Sequence, residues 1–577
     1  MQTDARSPID LSANTVGVVQ PNGEPRRIGQ PGTRRFWSRP WFWGFAIALG
    51  FSGWGMRTVG AYNVIETDAA RHAMNGVFLR DLIASGQFTN AVAYARNYYA
   101  HLPALSLPYH PPLFPLIEAL FCALFGVSIF SVRLAVAVMV GVSALTLFGL
   151  ILKTHRSAWI AAFSTITFFC LPESLWLSAD VMLEFPTLAF TLLALYCLQA
   201  VDREFSVRRA LCFGVLAGAA VWAKQFAVFL GAVPFLYLII RRRWRLFLKP
   251  GIWVSAGVFG AIVAALIALS IPVHGAGVNQ AIPAAPIPLY LAYFRLFLRN
   301  VAFYATHYRE VAGMVGLILL ALPPLAVAVT FWRKGRDVSA EPDRDGGSPT
   351  FWDESVVYLA WTITSLGVLF LLRPYATRYL FLTHPAIIVL GFGSLFRLAQ
   401  RLPGGKQTAR AAALLLTAFA ALQFPLRTAF LHGPEDVARA LAPARGVRIL
   451  YCGGTDGAFV LNYRVAHAGL DSTIISGDKL PNTIFDSPAF EQFAHDYGVN
   501  YIVLEDAAGW RRPWRKLIDE PLPTMVLERR TQLVSSTSRW NGSLQVYRFT
   551  NPSPQPKSDL AMRMFMIGGT MDFKLSR

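Results

Sequence analysis

Long apolar runs alternate with short polar gaps over most of this chain. A spanning helix needs about 20 apolar residues. Runs of that kind lie near 41–60, 132–152, 157–176, 181–200, 209–223, 225–240, 251–272, 310–332, 355–372, 379–396 and 411–430. They predict an all-α polytopic membrane protein with about eleven spans. The 209–240 stretch is too long for one helix and carries Lys224 at its middle, so two short helices turning at Lys224 fit it better. Pro112–Phe125 is apolar but only about 14 residues long, the length of an interfacial or re-entrant helix. Past 430 the pattern changes. Val447–Tyr451 and Tyr501–Leu504 read as strands, with Ala489–Tyr497 a helix between them. Met525–Glu528 and Leu544–Phe549 add strands, which predicts a small C-terminal α/β soluble domain.

Composition agrees with the runs. Hydrophobic residues make up 54% and charged residues 15% of the 577, against about 25% charged in an ordinary soluble protein. The net charge of +19 could point to nucleic acid. The basic residues fall instead in clusters between apolar runs, which is a topology signal. Residues 1–40 read as a disordered cytoplasmic N-terminus, basic just before the first run and without a cleavable signal. If Pro112–Phe125 does not span, Lys153/Arg156, Arg208/Arg209, Arg241–Arg243, Arg333/Lys334 and Arg397/Arg401 all fall on the cytoplasmic side. If it spans, they all move outside, so the positive-inside rule selects the first arrangement. The expected organisation is then a transmembrane unit over 41–430, with 61–131 an external loop carrying juxtamembrane helices, and an external domain over 431–577. The five cysteines suggest neither a disulfide framework nor a metal site: Cys122, Cys170, Cys197 and Cys212 lie in apolar segments and Cys452 in the tail.

The same arrangement collects polar residues on one face. Asp68, His110, Asp180, Lys224 and Arg378 all come at the outer ends of their segments, and clustered ionisable groups in a membrane bundle mark a functional site. Glu66–Asn75 is the densest stretch, with Glu66, Asp68, Arg71 and His72. Helical spacing puts Arg71, His72 and Asn75 on one face with Asp68, which predicts an amphipathic helix on the membrane surface. Thr67 or Asp68 could equally cap that helix, and Asp180 could cap its own. His110 is held at a helix start by Pro111 and Pro112. Lys224, in an apolar setting, needs a phosphate or carboxylate partner, or snorkels to the interface. External Arg373 and Arg378 run against the charge bias, so an anionic ligand or lipid headgroups fit them, with Tyr379 a further donor. Cys452–Gly457 follows a strand but lacks the dinucleotide fingerprint and the P-loop lysine, and reads as a structural turn.

Taken together, Thr67–Ala73, His110–Leu113 running to Ser128 and Arg133, Ala179–Val181, Lys224 and Thr377–Leu380 resemble the GT-C membrane glycosyltransferases. The resemblance is to the protein O-mannosyltransferases and lipid A aminoarabinose transferases (glycosyltransferase families 39 and 83) over about residues 41–400. It implies a polyprenyl-phosphate-linked sugar donor, an acceptor on the external face and Asp68 as catalytic base. The family usually has Asp-Glu where this chain has Asp68-Ala69; Glu66 stands nearby and, with Asp180, joins the catalytic candidates. Lys224, Arg378, Tyr379 and His110 would bind the donor phosphate, and Arg71 and His72 the acceptor or sugar. The leaving group is already a phosphate ester, so a divalent metal is compatible but not required, and no metal ligands are assigned. The expected setting is a bacterial inner membrane with the N-terminus cytoplasmic and the C-terminal domain periplasmic; the expected partners are the lipid-linked donor, membrane lipids and a lipid, polysaccharide or protein acceptor, not nucleic acid. Two readings of other classes stay open: a lipid or sugar transporter or flippase, and a non-catalytic polysaccharide-assembly protein.

Overall fold

A computed structural model describes residues 40–57, 59, 67–271, 288–334, 351–373, 376–400, 402–422, 430–507, 512–535, 540–564 and 569–575. Glu66 lies outside them, as do residues 1–39. The first part is helical throughout. It runs α1 Pro40–Met56, α2 Thr67–Ser85, α3 Ala91–His101, α4 Leu113–Phe125, α5 Ile129–His155, α6 Ala158–Phe169, α7 Pro172–Ser178, α8 Glu184–Arg203 and α9 Val207–Ala223. It continues with α10 Val233–Ile240, α11 Pro250–Ser270, α12 Leu289–Lys334, α13 Phe351–Leu371, α14 His384–Ala399 and α15 Gly405–Leu422. Local chemistry sets several ends. Ser128 caps α5 by accepting from Ser131 N–H at 3.2 Å, and Ser157 caps α6 by accepting from Ile160 N–H at 3.3 Å.

Among the described residues, four helical stretches are long and apolar enough to cross a membrane: Ile129–His155, Glu184–Val201, Pro250–Ser270 and Leu289–Thr330. The pair α6 and α7, bent by 72°, makes a fifth if taken as one span. This is fewer than the eleven or so expected from apolar runs. The runs are there, but turns cut them. The expected turn at Lys224 is present: Lys224 is extended (φ −157°, ψ 128°) and is followed by a 3-10 turn over Gln225–Gly231, which leaves α10 only eight residues long. Another 3-10 turn, Thr377–Leu382, precedes α14. Gly313, at φ 63°, breaks α12. Hydropathy registers the greasy length, not the breaks within it. Small residues let the helices close up: a Cβ on Gly214 of α9 would come within 2.5 Å of the Ser255 carbonyl oxygen on α11.

The C-terminal part holds a six-stranded sheet in the order β1-β5-β6-β4-β2-β3. Its strands are β1 Leu431–His432, β2 Arg448–Cys452, β3 Thr473–Ser476, β4 Tyr501–Ala507, β5 Met525–Ser535 and β6 Gly542–Phe549. β2 pairs parallel with β3 and β4, and the β4-β6-β5-β1 side is antiparallel. Helices α16 Pro434–Leu441, α17 Asp456–Ala466, α18 Ser487–Asp496 and α19 Arg515–Asp519 connect the strands. A hairpin of β7 Asp559–Met564 and β8 Gly569–Lys574 follows. β2 is buried along its whole length, as expected of a central parallel strand.

α2 is not the surface amphipathic helix that its spacing predicts. Ala69, Ala70, Ala73, Met74, Val77 and Phe78 are buried, but so are His72 and Asn75 on the polar side. α4 packs against one side and α17 against another. The polar face therefore meets protein, not water.

Candidate active site

The site is assembled from the ends of helices. Asp68 stands in the first turn of α2, where a carboxylate also suits the helix dipole. Asn75, about two turns further along the helix, fixes the next loop: its Nδ2 donates to Ser106 Oγ at 2.7 Å, and its Oδ1 accepts from Ser106 N–H at 2.9 Å. The His110 N–H then donates to the Ser106 carbonyl at 3.1 Å. Gln225, beside Lys224, reaches the same loop by donating to the Tyr109 carbonyl at 2.6 Å. His110 is thus held from both sides, and its ring meets His72 edge to face at 4.5 Å between centroids.

Four charges meet beside these rings. Arg378 Nη2 donates to Asp68 Oδ2 at 3.0 Å, and its Nε lies 3.9 Å from Glu184 Oε1. Lys224 Nζ donates to that same Glu184 oxygen. The Lys224 ammonium also lies 5.0 Å from the Tyr379 ring centroid, and the Arg378 guanidinium 6.0 Å from it. Glu184 is 2% exposed, whereas Asp68 keeps 31% and Arg378 21%, so the open side of the cluster is the Asp68–Arg378 pair. Burial alone would raise the Asp68 carboxyl; the Arg378 guanidinium outweighs it and holds the group at about 2. Burial pushes His72 down to about 3, with the Lys224 and Arg378 cations adding to the effect. Burial and the neighbouring His72 lower His110 as well. Both imidazoles are therefore neutral near pH 7, and each has a buried Nδ1 with no hydrogen-bond partner.

The structure therefore brings Asp68, His72, His110, Lys224, Arg378 and Tyr379 together. Two other candidates find their partners outside this cluster. Asp180 sits where α1, α5 and α7 meet. Its Oδ1 accepts from Val181 N–H at 2.9 Å and its charge acts on Arg133, which in turn donates to the Gly55 carbonyl at 2.7 Å. Arg71 turns to the C-terminal part and pairs with Asp456 at 3.4 Å. Sequence reasoning missed Glu184, the carboxylate that both cations share. A signal was present: Glu184 is a lone acid inside an apolar run, and Lys224 is a lone base at the middle of another apolar stretch. Charges in such settings pair with each other.

The turn Cys452–Gly457 holds a carboxylate of its own. Glu505 Oε2 accepts from Thr455 N–H at 3.0 Å and from Thr455 Oγ1 at 2.7 Å. A Cβ on Gly453 would come within 2.5 Å of that oxygen. The space a phosphate would need is occupied by Glu505. Among the described residues, no three His, Cys, Asp or Glu side chains gather as a metal site.

This fold is that of the GT-C membrane glycosyltransferases. It is similar to ArnT from Cupriavidus metallidurans bound to undecaprenyl phosphate, with a TM-score of 0.52 and 15% identity over 89% of this chain and 98% of that one. The apo form of the same protein superposes at 0.40 and 14% identity, with the same coverage of both chains. The archaeal oligosaccharyltransferase AglB from Archaeoglobus fulgidus, in complex with an inhibitory peptide and a dolichol-phosphate, superposes at 0.46 and 11% identity over 80% of this chain and 69% of that one. Residues 109–269 match the family model described as dolichyl-phosphate-mannose-protein mannosyltransferase. That segment contains His110, Glu184 and Lys224. No curated protein matches the chain in sequence.

Proposed function

We propose that the chain is an integral membrane glycosyltransferase that moves a sugar from a polyprenyl-phosphate donor to an acceptor at the membrane face where α2 lies. The carrying observation is the four-charge cluster, in which two cations and a carboxylate open to ligand sit at helix ends beside two neutral imidazoles. Transfer from a lipid phosphate needs cations for the departing phosphate and a base for the acceptor. Lys224 and Arg378 supply the first, and Glu184 holds both cations in place. Asp68 supplies the second. The acceptor O–H or N–H gives its proton to Asp68 while its lone pair forms a bond to the sugar C1. The C1–O bond to phosphate breaks, and its electron pair leaves on the polyprenyl phosphate facing Lys224 and Arg378. One displacement inverts the anomeric centre. Donor phosphate also competes with Asp68 for Arg378, and loss of that partner would raise the basicity of Asp68 when it is needed.

The test uses the full-length protein and the Asp68→Asn variant with labelled polyprenyl-phosphate sugars and membrane extract as acceptor source. We expect transfer by the wild type and a loss of about 10²–10⁴-fold in the variant. Equal transfer by both would remove Asp68 from the mechanism. A folded wild type that moves intact lipid-linked sugar across vesicles without transferring it would favour the flippase reading.

A further inference from the structure

The chemistry above makes no use of α17, yet α17 carries buried charges aimed at α2. Asp456, 1% exposed, opens α17. Its Oδ1 lies 3.4 Å from Arg71 Nη2, while its Oδ2 accepts from Ser476 Oγ at 2.8 Å and lies 3.2 Å from Lys479 Nζ. Lys479 also donates to the Pro103 carbonyl, in the loop that carries His110. Further along the same helix, Arg464 donates to Asp81 Oδ2 through Nη2 at 2.9 Å and Nε at 3.3 Å. The Tyr98 hydroxyl donates to that oxygen too, at 3.0 Å. Arg464 and Asp81 are both buried.

The order of the signs matters. α2 offers a cation and then an anion, Arg71 and Asp81. α17 offers an anion and then a cation, Asp456 and Arg464. The pairs match only when the two helices run in the same direction in this one register; reversed, like charges would face each other in a buried setting. Arg71 is one turn beyond Asp68, so the two share a face of α2. The far end of the chain of contacts is firm. Glu505 grips Thr455, and the Tyr451 hydroxyl shares a 2.7 Å hydrogen bond with Thr455 Oγ1, immediately before Asp456.

We propose that α17 is a positioning helix for the reacting carboxylate. Asp456 through Arg71, and Arg464 through Asp81, set the register of α2 and so the place of Asp68 against Arg378. The proposal rests on Asp68 being the base, but its structural half can be read without turnover.

The experiment compares the full-length wild type with Asp456→Asn in lipid nanodiscs. Hydrogen–deuterium exchange over 67–78 is measured first, then donor KM and kcat. We expect exchange over 67–78 to rise about tenfold while α5 and α8 keep theirs. We expect kcat to fall about 10- to 100-fold with donor KM within about threefold. If Asp456→Asn does not fold, Arg71→Lys, which keeps the charge but changes its reach, decides by the same readouts with a smaller change. Unchanged exchange over 67–78, or a rise spread equally over all helices, overturns the proposal. No transfer by the wild type, together with the local rise in exchange in the variant, overturns the role of Asp68 and upholds the hold of α17 on α2.

Discussion

Asp68, His72 and His110 give the site a definite response to acid. The imidazoles are pushed below their ordinary value by burial, His72 to about 3 from 6.5. Between those values the unfolded chain binds more protons than the folded one, so stability rises with pH through that window. Asp68, held at about 2 from 3.8, acts with the same sign lower down: its stabilisation is present above 3.8 and lost as pH falls toward 2. The melting temperature should therefore fall as pH is lowered from about 7 to about 4, and His72→Gln should flatten the slope. A melting temperature constant over that range would contradict the buried neutral imidazoles. At this scale much of the site was legible in the sequence. Charge patterning alone put Asp68, His110, Asp180, Lys224 and Arg378 on one face, and the structure joins all of them but Asp180, whose charge acts on Arg133 instead. What it could not show was pairing. Arg71 finds Asp456 across 385 residues of chain, and the surface face assigned to His72 and Asn75 is covered by parts of the protein that local periodicity does not see.

At the scale of elements, α2 and α4 approach closely at Gly76 and Glu118. A Cβ on Gly76 would come within 2.5 Å of Glu118 Cβ, which lies next to backbone and cannot swing away. Two effects oppose each other in Gly76→Ala. Alanine gains about 1 kcal/mol in helix propensity, while overpacking costs about 1–3 kcal/mol. Overpacking wins, and the variant should be destabilised by about 1 kcal/mol in a reversible unfolding or thermal assay, with activity lowered more than stability alone explains. A stabilised variant would mean that the helices can separate freely. The same scale explains the discrepancy in spans. Apolar runs were visible, and so was the turn at Lys224; the kink at Gly313 and the turn at Thr377–Leu382 were not, because they interrupt helices without interrupting hydrophobicity.

At the scale of the molecule, the C-terminal part is bound to the helical part through two ion pairs on α17 and through stacking of Tyr99 on Phe573 of β8 at 5.1 Å. Breaking one such pair strands a charge. Asp81→Ala should cost about 3–5 kcal/mol, because Arg464 is left buried without its carboxylate. Adding Arg464→Met should restore most of that loss, measured as recovery of the melting temperature and of resistance to proteolysis between the two parts. If the double variant is no better than the single one, the cost lies in packing and not in charge. The enclosure of α2 also bears on how this protein can change over time. An ordinary surface helix has one side on which substitutions accumulate freely, so tolerance rises and falls every 3.6 residues. α2 is covered by α4, by α17 and by its own loop, so a saturation scan along 69–78 should show low tolerance at nearly every position. Variation in what this protein acts upon would then have to arise in the segments around that helix, with the helix itself left as it is.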